Sequence, residues 1–127
     1  MSSKEINQGA AAEAPQAAVV QEGGAKVEVT VVKDGVEVAH IVASPKGIHE
    51  LRAATDAVKL FMNGTHFTLG VWVGYMLEIA VSFTRRECDV YLRRSGQPVF
   101  YHGTIKGEDV FHELYAPNNV VVRAVWL

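Results

Sequence analysis

The chain has 127 residues, 49% hydrophobic and 20% charged, with a formal net charge of −2. That length suits one domain whose core can stand without disulfides or metals, and the charge excludes a nucleic-acid binder held by bulk electrostatics. The single cysteine, Cys88, excludes an intramolecular disulfide and points to a reducing, cytoplasmic setting.

Residues 1–25 are dominated by alanine, glutamine, glutamate and glycine. Such a segment buries too little apolar surface to offset its ordering entropy, so a flexible tail is expected there. It has no apolar run of the length a secretory signal needs. A single domain is expected over 26–127.

Val27, Val29 and Val31 alternate with Lys26, Glu28 and Thr30, and Asp34-Gly35 then turns the chain into Val36, Val38, His40 and Val42. Asp-Gly favours a type I′ hairpin, because both central residues take positive φ. That turn predicts Val31 opposite Val38, Val29 opposite His40 and Val27 opposite Val42.

Ser44-Pro45 reads as a helix N-cap followed by proline at the first helical position. Ile48, Leu51, Thr55, Val58 and Met62 fall at helical spacing, and Asn63-Gly64 supplies a left-handed stop. The spacing predicts a helix over 45–62.

Residues 66–84 satisfy two templates. Every odd position from Leu69 to Phe83 is apolar, as in a strand, while Gly70, Gly74, Glu78 and Ser82 recur every fourth residue. Aromatic and β-branched composition favours one long strand, or two joined by a bend near Gly74. The most apolar part, Phe67 to Phe83, is short and interrupted for a transmembrane helix, so no membrane association is expected.

Cys88, Val90 and Leu92 begin a second hairpin that turns at Ser95-Gly96 into Val99, Phe100, Tyr101 and His102. Acidic residues opening Glu108 to Tyr115 predict a short helix there. Pro117 and Asn118-Asn119 end it, and Val120 to Leu127 form a last strand, interior to a sheet or covered. The predicted order is β-β-α-β-β-β-α-β. It is an α+β fold: an antiparallel or mixed sheet of about six strands with one long and one short helix.

The sequence carries no motif that names a reaction or a family. The five histidines, His40, His49, His66, His102 and His112, include no pair at metal-ligating helical spacing. No nucleophile elbow or phosphate-cradling glycine loop is present. No catalytic residue, metal or cofactor is therefore expected. Arginine does stand out: Arg85-Arg86 and Arg93-Arg94 bracket one strand, with Tyr91 between them. Guanidinium forks suit phosphate or carboxylate, and aromatics can stack on bases. These five residues form the candidate binding set for an anionic partner.

The functional expectation is a non-enzymatic interaction or assembly protein that self-associates, such as a structural or accessory component of a larger complex, for example a viral one. One alternative is a module that binds an anionic ligand, nucleotide or nucleic acid through the arginine-rich hairpin. A small enzyme using a histidine, His102 or His112, is the other.

Overall fold

Alternating apolar and polar residues run through most of the chain after residue 26, and in the computed structural model each such run is a strand. The structure describes residues 26–54 and 58–127. Among the described residues it contains ten strands and no helix. They are β1 (Val27–Lys33), β2 (Val36–Ser44), β3 (Gly47–Ala53), β4 (Val58–Asn63), β5 (His66–Trp72), β6 (Met76–Ser82), β7 (Glu87–Arg93), β8 (Phe100–Lys106), β9 (Glu113–Ala116) and β10 (Val120–Trp126). Two five-stranded sheets result, sheet I in the order β9-β10-β1-β2-β3 and sheet II in the order β4-β5-β6-β7-β8. All pairings are antiparallel.

The inner faces of the two sheets share one apolar core. Sheet I contributes Val27, Val29, Val31, Ile41, Val122 and Ala124, and sheet II contributes Phe67, Leu69, Leu77, Ile79, Val90 and Ile105. Alternation follows because successive side chains of a strand point to opposite faces. This is a sandwich, not the α+β fold with two helices and about six strands that the spacing predicts.

The described part of the predicted helix over 45–62 is two edge strands, β3 and β4, and residues 55–57 lie outside the described residues. A bulge explains the false helical period. Ala43 pairs with Ile48 but Val42 with Glu50, so His49 is an extra residue. That insertion puts Ile48 and Leu51 on one face at a spacing of three, which imitates a helix. Ser44 does cap, but its Oγ accepts the Lys46 N–H in a tight hairpin turn instead of a helix start. Gly64 is left-handed, at φ 52°, within the β4–β5 turn.

The predicted short helix at 108–115 is a loop leading into β9. Ala124 N–H donates to the His112 carbonyl, drawing the segment alongside β10. Asn118 and Asn119, at φ 64° and 62°, turn β9 into β10. Strands β5 and β6 flank a turn at Gly74, as the apolar alternation predicts, and β10 lies inside its sheet. The tail expected at 1–25 lies outside the described residues. No described helix is long and apolar enough to cross a membrane.

The first hairpin turns at Asp34-Gly35 as predicted, with φ 53° and 80°. Its register is one residue off the predicted one beyond the turn. A bulge between Val31 and Val32 places Val31 opposite Ala39, Val29 opposite Ile41 and Val27 opposite Ala43. Such a shift exchanges the faces of a strand. Ile41 turns into the core, and His40 moves to the outer face, where Nε2 lies 2.6 Å from Glu28 Oε2.

Two expectations follow from this packing. Ile41→Ala should cost about 2–5 kcal/mol in urea denaturation, as a buried large-to-small change does, whereas a near-zero cost would restore the unbulged register. Cys88 is fully buried on the inner face of β7. Desolvation, with Asp89 adding to it, pushes its thiol up from 9.0 to about 12. The folded state therefore holds the neutral thiol. Its contribution to stability is complete below about pH 9 and is lost as pH rises toward about 12. A thiol-specific disulfide reagent at pH 8 should label the native protein far more slowly than the urea-unfolded chain; equal rates would place Cys88 at the surface.

Candidate functional site

Strand β7 spans seven residues, and at about 3.3 Å per residue its ends stand about 20 Å apart. The arginine pairs bracketing it therefore lie at opposite ends of the sandwich and do not form one patch. At one end Arg85 lies 3.3 Å from Glu87 and 3.6 Å from Asp89. Arg86 stacks over the Trp126 ring at 5.3 Å, next to Gly107, where a Cβ would meet the Trp126 and Arg86 side chains at 3.0–3.2 Å. A shallow pocket of about 180 Å³ lies there, lined by Arg85, Arg86, Lys106 and two carboxylates, Glu87 and Glu108. Those acids oppose any anion.

At the other end Arg93 is bonded to Glu78 on the outer face of sheet II, 2.8 Å away. Tyr91 shares that face and meets Tyr101 edge-on, ring centroids 5.7 Å apart. Arg94 differs. Its guanidinium sits 5.5 Å over the ring of Tyr75, and among the described residues no carboxylate pairs with it. A cation over an aromatic face gains from the ring quadrupole without being neutralised.

Arg94 lines a cleft of about 370 Å³ between the β7–β8 loop and the β9–β10 turn. Leu92, Pro98, Val99, Phe100 and Pro117 form its apolar walls, and Gln97 and His102 add polar groups. Two contacts hold the cleft in shape. Tyr75 Oη donates to the Pro117 carbonyl at 2.8 Å, tying the β5–β6 turn to the β9–β10 turn. His102 Nε2 lies 2.6 Å from the Tyr115 carbonyl, tying β8 to β9. Beside the cleft, Phe100, Tyr101 and Tyr115 on β8 and β9 are more than half exposed. Large apolar side chains left in water together mark an interaction surface.

Of the predicted set, this site uses Arg94 alone. His102 enters it as a brace, bonded to a backbone carbonyl. Gln97, Pro98 and Pro117 carry no chemical signature in the sequence; only the fold brings the two turns together. Three other histidines have partners elsewhere, while His112 Nδ1 is buried with no hydrogen-bond partner among the described residues. His40 packs on the outer face of sheet I between Glu28 and Glu50, and His66 bonds the Thr65 hydroxyl. Ser44 Oγ and His49 Nε2 are 2.8 Å apart in the β2–β3 turn, where the Lys46 N–H also donates to Oγ. No group of three His, Cys, Asp or Glu side chains could hold a metal among the described residues. Comparison of the chain with protein-family models, with curated proteins and with solved structures finds no match.

The Tyr75 phenol is raised above its ordinary 10.0 by burial, and Arg94 opposes that rise. Replacing Arg94 with alanine should therefore move the Tyr75 ionisation to still higher pH, read by NMR of ring-labelled tyrosine. An unchanged midpoint would place the guanidinium away from the ring.

Proposed function

We propose that this protein is a non-enzymatic interaction module that receives an apolar, carboxylate-bearing segment of a partner protein in the Arg94 cleft. The observation that carries this reading is an apolar cleft holding a guanidinium that no described carboxylate neutralises. A carboxylate brought there gains a charge-assisted, two-pronged contact, and the walls of Leu92, Val99, Phe100 and Pro117 take the adjoining apolar side chain. The exposed aromatics on the flank extend the contact, as anchors of this type do in protein interfaces.

Nucleic acid is the less favoured occupant. A backbone of phosphates calls for a row of cations, whereas the arginines here are divided between two ends and Arg85 and Arg93 are bonded to acids. Catalysis has less support still. His102, which lines the cleft, bonds a carbonyl, while His40, which meets carboxylates, lies on the far face of sheet I.

The test uses short phenylalanine-ended peptides carrying either a free C-terminal carboxylate or its amide. A charge-assisted hydrogen bond contributes about 1.5–3 kcal/mol, so the carboxylate form should bind at least about tenfold tighter by calorimetry. Arg94→Ala should abolish the difference, and added salt should shrink it. Equal binding of the two peptides, or a difference that survives in Arg94→Ala, sinks the reading.

A further inference from the structure

Among the described residues the two sheets present four edge strands, and unpaired N–H and C=O groups along an edge invite another strand. Three of the four edges are blunted. Strand β3 carries the His49 bulge, and Arg52 on it is bonded to Glu37 and Glu50. Strand β9 has four residues, and His102 occupies its Tyr115 carbonyl. Strand β8 is bulged between its pairings with Val90 and Tyr91. It also lies so close to β9 that a Cβ on Gly103 would meet Leu114 at 3.0 Å.

Strand β4 has none of these devices. It pairs with β5 over six residues with no register shift. Among the described residues no backbone bond beyond that pairing reaches it. It contains no proline and one charge, Lys59, and its outer face shows Phe61 at 67% exposure. Its inner residues, Val58, Leu60 and Met62, are only partly covered by the core.

We infer that β4 is a self-association edge, which pairs antiparallel with β4 of a second copy and joins two sheets II into one ten-stranded sheet. The sequence of the strand is self-complementary about Leu60. Centring the two-fold axis there sets Leu60 opposite Leu60 and Val58 opposite Met62 on the inner side. On the outer side Lys59 lies opposite Phe61 at both ends. Residues directly opposite on neighbouring strands share a face and interact, so this register covers apolar with apolar and lays each ammonium over an aromatic ring. Centring on Lys59 instead would oppose two like charges. A two-fold axis makes the contact closed, so it stops at a dimer. No residue of the Arg94 cleft takes part, so this inference and the cleft reading stand or fall separately.

The test is light scattering with the full chain across a concentration series. The expected mass rises toward twice the 13.9 kDa of one chain. Phe61→Lys sets lysine opposite Lys59 twice per dimer and should weaken association about tenfold or more. Its exposed position leaves the fold unchanged by circular dichroism. Adding Lys59→Glu to Phe61→Lys restores opposite charges across the axis and should restore the dimer. A monomer at every concentration overturns the inference, as does a dimer indifferent to Phe61→Lys. Loss of the dimer without rescue by the double change overturns the Leu60-centred register.

Discussion

Each sheet can hide only one of its faces, and each hides it against the other. Because side chains alternate strictly along a strand, that shared layer dictates the parity of all ten strands. Parity can be reset only where a residue is added, and the structure resets it at three places: within the β1–β2, β2–β3 and β7–β8 pairings. The first reset carries Ile41 into the core and leaves His40 outside, clasped by Glu28. The third frees His102 from the alternation and lets it reach the Tyr115 carbonyl. The brace of the candidate cleft is thus a by-product of how the core is kept continuous.

The same bulges bear on the two interaction surfaces proposed. A bulge twists an edge out of a flat, pairable line, and two of the four described edges are treated in this way. The two surfaces proposed for binding lie where the treatment is missing: along the regular edge of β4, and at the end where loops from the two sheets meet over Arg94. The two surfaces differ in kind. One offers backbone groups in a row, which suits another strand. The other offers a cleft with a single charge, which suits a side chain or chain terminus.

Much of this was legible in the residues. Asp34-Gly35, Asn63-Gly64 and Asn118-Asn119 announce turns, and the alternation from Leu69 to Phe83 and from Cys88 to Leu92 announces strands. What misled was the ambiguity of short periods. Ile48 and Leu51 sit three apart because His49 bulges, and Val58 and Met62 sit four apart because Leu60 lies between them on the same face. Either spacing reads as a helix when the intervening pairing is unseen. Ser44-Pro45 and Gly64 have turn chemistry that serves a hairpin as well as a helix end. The site was less legible still. Arg94 stood out as one of four arginines, but nothing local separates it from Arg93. The difference is parity: Arg93 points to the outer face, toward Glu78, and Arg94 follows it into the loop over Tyr75.

The pairing of β10 with β1 has a kinetic side. Sheet II is built from five consecutive strands, each bonded to its neighbour in sequence. Sheet I closes only when Trp126 reaches Val27 and Leu127 N–H reaches the Lys26 carbonyl, across almost the whole described chain. Long-range closure is entropically the most expensive contact and the slowest to form. While it is pending, the inner faces of β1 and β2 have nothing over them but the half-assembled partner sheet, and their valines are open to other chains. The late arrival of the last strand is thus the moment at which this fold is most exposed to misassembly.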